Sequence, residues 1–332
     1  MKIALLHDSV LPPKTYGGIE RMVVTLAQEY TALGHQVSVV CRKGSRLDDF
    51  EVVELPENYK ELPPKEWLPE KIEFLHAHQP LPIRPEIPFL VTIHGNGHPH
   101  EHYWANTNFL SESHCRNHNG KYLVYNGVDA SRYPLVEKKE NYFVFLAKTT
   151  WRVKNLKTAI AWANDLGVQL KIMGGTGVSR GNIHYCGLVD EKAKIEILSK
   201  ARALVYPTNW DEPCAGAPLE SLACGTPVIA SANGCMPELV RPGTGVICRT
   251  YDDLLNAPKA LDAISPKACR DSVEEYFNLK RMAQDYLNLF VKVIEMGDLD
   301  QQPKYNFNRS SVQYLYKPTL LNRLRFSLLG KI

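Results

Sequence analysis

The order of short apolar runs and helical stretches constrains this chain more than any other feature. KIALLH (2–7) is followed by a glycine-containing loop and then by helical spacing over 19–33. There Met22, Val23, Leu26, Ala27 and Tyr30 recur on one side. Gly34 stands where a helix ends, and QVSVV (36–40) supplies the next strand. A strand, loop, helix and strand in one short stretch form a βαβ unit, which requires a parallel sheet. Further strands are expected at 51–55, 72–76, 87–93, 106–110 and 121–125, and the four prolines within 56–70 mark an irregular connection. A second alternation starts at YFVFLA (142–147). It continues through a helix at 156–166, strands at 168–174 and 183–187, a helix at 190–200 with Asp190 as its N-cap, a strand at 203–207, a helix at 216–224 and TPVIA at 226–230. Two such series predict two doubly wound α/β domains, whose ligands lie beyond the carboxyl ends of the strands, in a cleft between facing domains.

Composition closes off the alternatives. With 44% hydrophobic and 23% charged residues the chain can bury real cores, which excludes a disordered or fibrous class. No apolar run reaches the ~18 residues a membrane helix needs, and MKIALLHDSV reads as a first strand rather than a secretory signal. Eight cysteines are scattered without a CxxC pair, which fits reduced thiols and a cytoplasmic setting. The net charge is +3, yet residues 301–332 hold six basic residues and no acid, so subtraction leaves about −3 on residues 1–300. That body is not a nucleic-acid binder.

The strongest chemical signal is PTNWDEPCAGAPLESLACGTPVIA (207–230). Glu212 follows a strand, and Glu220 lies in the next helix. Between them Ala215, Gly216 and Ala217 are small enough for backbone to approach a ligand, and free N–H groups at a helix start suit phosphate. A carboxylate further into the helix can accept hydrogen bonds from a vicinal diol such as ribose. The same two acids also fit a solvated loop and a solvated helix face.

The E-x7-E spacing, followed by ACGTPVIAS and GCMPELV, resembles the retaining GT-B glycosyltransferases of glycosyltransferase family 4. YGGIERMVVTLAQEYTALGHQVSVV, FLHAHQP, VTIHG and VYNGVDASRY resemble further stretches of that family in the same order, covering about residues 1–250. The resemblance implies a GT-B fold: an acceptor-binding Rossmann-like domain at 1–136, a nucleotide-sugar domain at 137–290, and a tail at 291–332, with the helix at 279–296 crossing back onto the first domain. It implies that Glu220 holds the ribose hydroxyls and Glu212 those of the donor sugar. Ala215, Gly216 and Ala217 would meet the diphosphate, Gly17 and Gly18 would face it from the other domain, and His94 would sit beside the transferred sugar. It implies no cofactor and no metal, and a nucleotide-diphosphate sugar as donor, UDP favoured over GDP or ADP. The acceptor would be a glycan, lipid-linked or small-molecule hydroxyl in cell-surface polysaccharide or glycolipid synthesis, and a donor phosphate oxygen would take its proton.

Two departures stand out. Cys214 and Ala215 occupy the Phe and Gly places of the usual E-P-F-G, and the family's Arg and Lys after the first C-domain strand are matched by Lys148 and Lys154, with Arg152 competing for either role. Two fixed cations would stabilise charge growing on a leaving diphosphate, although solvated lysines fit the same residues. A non-catalytic nucleotide-sugar-binding protein, or another GT-B enzyme such as an epimerase, fits much of the same pattern.

The remaining motifs are less specific. His76, His78, His94, His98, His100 and His102 are dense enough to suggest a metal, but no familiar ligand spacing completes them. His94, at a strand end, has the best functional case, and His76 and His78 would shape the acceptor side. Asp298 and Asp300 read as a solvated linker. Trp67, Trp151 and Trp210 fit either packing or sugar stacking. Residues 319–332 place leucines along one side of a helix and basic residues on the other, which fits peripheral contact with the inner face of a membrane, a helix docked on the body, or a disordered end.

Overall fold

The computed structural model describes residues 1–13, 17–308 and 311–316, so the basic segment 319–332 lies outside the described residues. The chain forms two units, each built on one six-stranded parallel sheet.

The first unit contains β1 (Lys2–His7), α1 (Gly18–Ala32), β2 (Gln36–Cys41), β3 (Glu51–Glu54), β4 (Phe74–Ala77), β5 (Phe89–Thr92), β6 (Thr107–Asn108) and α2 (Glu112–Asn117). Its strand order is β3-β2-β1-β4-β5-β6. Parallel sheets are covered on both faces, which is why β1 reads as an unbroken apolar run. Ile3 and Leu5 pack with Val23, Leu26 and Tyr30 of α1, while Ala4 and Leu6 join Leu75, Phe89, Tyr59 and Trp67 in a separate core.

The second unit contains β7 (Phe143–Leu146), α3 (Leu156–Leu166), β8 (Leu170–Met173), β9 (Ile183–Gly187), α4 (Glu191–Lys200), β10 (Ala203–Tyr206), α5 (Gly216–Ala223), β11 (Val228–Ser231), α6 (Met236–Leu239), β12 (Gly245–Cys248), α7 (Tyr251–Asn256) and α8 (Pro266–Tyr276). Its order is β12-β11-β10-β7-β8-β9. Counted from each unit's own first strand, both sheets follow the Rossmann order 3-2-1-4-5-6. Trp162 of α3 is fully buried against Phe143, and its indole N–H donates to the Leu254 carbonyl at 2.8 Å.

The units do not divide at 136 and 290. The first comprises Met1–Gly127 and Asn278–Phe307, and the second begins at Val128. Residues 128–136 belong with the second unit because Arg270 of α8 donates to the Tyr133 carbonyl and Leu135 packs beside Gly225. The last helix, α9 (Leu279–Met296), belongs to the first unit. Met282, Tyr286, Phe290 and Val293 are buried in the core of α1 and β1, and the Phe290 ring stacks on Phe74 at 4.0 Å.

Two expected strands shrink. The run at 106–110 pairs as a strand only over Thr107–Asn108, and 121–125 contributes only an isolated bridge, Leu123 to Phe109. There the helix α2 follows at once, capped by the Ser111 hydroxyl, which accepts from the His114 N–H at 3.1 Å.

Candidate active site

In the second sheet β7 and β10 are neighbours, but the helices that follow them lead to β8 and β11 on opposite sides. This is the switch point, where loops diverge and open sheets bind ligands. The loop after β7 ends in the turn Arg152–Lys154, closed by Asn155 in the left-handed region (φ 60, ψ 40), which asparagine tolerates. The Asn155 amide donates to the Pro207 carbonyl at 2.9 Å and so ties this turn to the loop after β10.

The turn aims Lys154 inward. Its side chain and that of Glu212 are only 10% and 7% exposed, and its ammonium donates to Glu212 Oε1 and to the Tyr206 hydroxyl at 3.0 Å. The hydroxyls of Tyr206 and Thr208 each lie 3.2 Å from the same Oε1 as donors. Three donors converge on one carboxylate oxygen, and Glu212 Oε2 has no partner among the described residues. The Glu212 backbone is gripped from behind by the start of α6. The Cys235 N–H donates to the Glu212 carbonyl at 2.9 Å, and the Gly234 N–H donates to Asp211 at 2.9 Å. Gly234 has φ +56, and a Cβ there would sit 2.2 Å from the Glu212 nitrogen, so only glycine fits this clasp.

Because the Lys154–Glu212 pair is neutral overall, excess positive charge comes from Lys148 and Arg152, both exposed. The Lys148 and Lys154 ammonium groups lie 5.3 and 5.7 Å from the centre of the Trp151 ring, so one half-exposed indole gathers both cations. Glu220 sits on α5 and accepts from Lys194 of α4 at 2.9 Å; Lys194 also pairs with Glu191 at 3.1 Å. Ala215, the N-cap of α5, provides no side-chain cap. Gly216 is exposed, with no atom within 4 Å of where its Cβ would lie, and Ala217 is half-buried. Beneath that helix start the buried Cys235 thiol is pushed well up by desolvation, with the Cys214 thiol as its hydrogen-bonding neighbour.

The other expected site residues are in the first unit. Gly17 precedes α1, where a Cβ would fall 2.5 Å from Pro13, and Gly18 begins the helix with open space around it. No side chain caps α1. His94 lies just past β5, half-buried, with Nε2 at 3.0 Å from Nδ1 of His78. His78 is buried beyond the end of β4, with its ring 4.2 Å from that of His76. His76 is held in turn by the Thr92 hydroxyl at 2.9 Å and the Tyr30 hydroxyl at 3.2 Å. Burial lowers the pKa of His76 and His78 well below the ordinary histidine value, and that of His94 to about 3. Two histidines of α2 and its C-terminus fix the turn after His94. Nε2 of His114 reaches the Gly95 carbonyl at 2.9 Å, and Nε2 of His118 reaches the Asn96 carbonyl at 3.1 Å. Among the described residues no group of three or more His, Cys, Asp or Glu side chains is arranged to hold a metal.

The structure therefore brings Lys154 and Glu212 into contact and Lys148 close by. Arg152 stays on the surface, and Glu220 is separately paired. His98, His100 and His102 are exposed, whereas Trp67 is packed in the first unit's core. Asp298 and Asp300 are exposed, as expected of a solvated linker, and they pair with Arg84 and Lys121. Sequence reasoning missed Tyr206, Thr208, Lys194, His114 and His118. Of these only the polar ends of a strand, Tyr206 and Thr208, carried a signal, since residues just past strand ends line such sites.

Two family models match the chain in series, Glycosyltransferase Family 4 over residues 16–130 and Glycosyl transferases group 1 over residues 130–265. Spore coat protein SA of Bacillus subtilis (strain 168) is 24% identical over 141 residues, 39% of this chain and 37% of that protein. The O-antigen chain mannosyltransferase RfbU of Salmonella typhimurium is 27% identical over 188 residues, 50% of this chain and 52% of that protein. The match thus spans about half the length of these relatives or less. Among solved structures, AviGT4, a glycosyltransferase involved in avilamycin A biosynthesis, superposes with a TM-score of 0.72 at 21% identity, covering 89% of this chain and 98% of that one. The Anabaena protein HepE in complex with UDP-glucose superposes with a TM-score of 0.64 at 13% identity, covering 89% and 99%. At these identities the likeness establishes the fold: two Rossmann-like units of the GT-B type. No described helix is long and apolar enough to cross a membrane.

Proposed function

The chain belongs with the GT-B glycosyltransferases that resemble family 4, and from that premise we propose that it moves a sugar from a nucleoside diphosphate sugar to an acceptor hydroxyl, with retention of anomeric configuration. The observation that carries this reading is the buried Lys154–Glu212 pair at the β7/β10 switch point, with one carboxylate oxygen left over. Glu212 Oε2 accepts from a hydroxyl of the donor sugar, while Lys154, Tyr206 and Thr208 hold the other oxygen still. Fixing an acceptor in advance of the reaction is how such sites select one sugar orientation.

The diphosphate meets positive charge from Lys148 and Arg152 and the uncapped N–H groups at Gly216 and Ala217, which strengthen their hold as negative charge grows on the leaving group. Gly17 and Gly18 offer N–H groups of the same kind at the start of α1. The chain's own cations thus carry this charge balance without calling on a metal. Glu220 takes the ribose diol, exchanging part of its bond to Lys194. His94 lies beside the transferred sugar, and a donor phosphate oxygen accepts the proton of the attacking hydroxyl. UDP is the favoured nucleotide, as in the UDP-glucose complex of HepE, and the O-antigen relative supports an acceptor among cell-surface glycans or their lipid-linked precursors.

The test is stabilisation by UDP, GDP and ADP and by their sugar conjugates, in wild type and Glu220→Gln. A ligand that binds only the folded chain, at about 100 times its Kd, adds roughly 2.7 kcal/mol. One nucleotide is expected to stabilise the wild type and to lose most of that effect in the variant. No stabilisation by any of them would overturn the reading, and a donor that binds without turnover on any glycan acceptor would reduce it to a binding protein. Anomeric analysis of the product by NMR decides retention separately.

A further inference from the structure

We propose that His78 is a positioning residue that locks His94 as its Nδ1–H tautomer, so that His94 presents a neutral N–H donor to a ligand oxygen. The ring nitrogens His78 Nδ1 and His94 Nε2 are 3.0 Å apart, with the two rings nearly parallel at 25°. A single proton lies between them, and either ring can own it. The choice falls on the second nitrogen of His78. Its Nε2 is enclosed and has no partner among the described residues. If His94 donated, a neutral His78 would carry its own proton on Nε2, and a buried N–H without an acceptor bears the full cost of its lost hydration. His7 Nδ1, the other enclosed bare nitrogen of this group, has no partner either, so it does not rescue that arrangement. If His78 donates from Nδ1, its Nε2 keeps only a bare lone pair, the milder of the two defects. A doubly protonated His78 is disfavoured because burial, with His76, His94 and His7 close by, drives its proton off.

The donor is held in place. The His78 ring packs 4.2 Å from His76, which is bonded at both nitrogens, and edge-on to Tyr286 at 6.4 Å. The backbone after His94 is pinned by His114 and His118. With His94 Nε2 accepting, its proton lies on Nδ1, which has no partner among the described residues on a half-buried ring. His94 is thereby a hydrogen-bond donor at neutral pH and not a general base. That the oxygen it meets is a sugar hydroxyl rests on the glycosyltransferase reading; the tautomer does not.

Nitrogen-15 NMR of the full chain labelled only at histidine reads the tautomer directly, with His94→Gln identifying the signals. The wild type at pH 7.5 is expected to show the Nδ1–H pattern for His94. In His78→Phe that pattern should move toward the Nε2–H form that free histidine prefers, and His78→Asn, which keeps an N–H near the Nδ1 place, should restore it. An Nε2–H signal in the wild type, or an unchanged Nδ1–H signal in His78→Phe, would overturn the proposal. If His78→Phe does not fold, the wild-type and His78→Asn spectra decide it. UDP-glucose and UDP titrations separate this from the functional reading. His78→Phe should weaken UDP-glucose about tenfold, equivalent to ~1.4 kcal/mol, with UDP itself unaffected. A wild type that binds neither ligand would count against the glycosyltransferase reading and leave the tautomer standing.

Discussion

At the scale of single residues, the Lys154–Glu212 pair is costly to disturb by halves. Both side chains are at least nine-tenths out of water, so removing one partner leaves a buried charge with nothing opposite it. Such a loss typically costs about 3–5 kcal/mol, whereas replacing both by well-packed apolar residues is often near neutral. Lys154→Met and Glu212→Leu are therefore each expected to lose about that much in urea unfolding, and the double variant to recover most of it. Additive losses in this cycle would mean that the two groups do not depend on each other. Tyr206 and Thr208 soften the Lys154→Met loss slightly, because each still donates to the stranded carboxylate. In the double variant the extra stabilisation by UDP-glucose over UDP should still fail, since the pair's use in the proposed reaction is to hold Glu212 Oε2 for a hydroxyl of the donor sugar and not to hold the fold together.

At the scale of elements, the six described residues 311–316 lie along the second unit and support the same site. Leu315 is fully buried in the core that holds Phe143 and Trp162, and its carbonyl accepts from Thr158 at 2.6 Å and Asn155 at 3.0 Å. The backbone of Gln313 pairs both ways with the Asn233 amide at 2.7 Å. Asn155 and Asn233 adjoin Lys154 and Gly234 in sequence, so this strap braces both loops that hold the ion pair. Leu315→Ala is expected to destabilise the second unit by about 2–5 kcal/mol, as for other buried leucines. Ending the chain at residue 310 should cost at least as much, read from the urea midpoint of Trp162 fluorescence. A shortened chain of unchanged midpoint would show that the strap bears no weight. Nothing in the sequence marks this strap, because its partners lie some 80 and 160 residues away in the chain. The parts that were legible have local causes. Asp190 accepts from the Ala193 N–H at 2.8 Å as the N-cap of α4, and Gly34 (φ +87) lies just past the end of α1. Glu212 and Lys154 were legible as candidates through spacing and resemblance. Their burial against each other was not, since a solvated lysine and a paired one have the same letters. The Lys194 partner of Glu220 and the α2 histidines were hidden for the same reason.

At the scale of the whole molecule, the two units share a topology but not their histidines, and a different response to acid is expected of each. Of the eleven histidines only His184 lies outside the first unit. Four of the others, His76, His78, His94 and His114, have their pKa lowered chiefly by burial. A depressed folded pKa means that the unfolded chain binds more protons once the pH drops below the ordinary value near 6.5. The stability these four contribute is thus complete above about pH 6.5 and is lost as the pH falls toward their folded values, about 3 in the case of His94. Each such group removes up to about 1.4 kcal/mol per pH unit in that window, so four together remove up to roughly 5 kcal/mol per unit. Against a domain stability of about 5–15 kcal/mol, one to two units of acidification bring the first unit to its transition while the second persists. Hydrogen exchange read by mass spectrometry, stepping from pH 7.5 to 5, should show β1, β4, β5 and α9 losing protection before β7, β8 and β10. Loss of both units together, or a first unit still protected at pH 5, would refute this. His76, His78 and His114 surround or support the turn that presents His94, so under the proposed function acid should abolish UDP-glucose binding in step with the opening of the first unit and not at a separate, earlier titration.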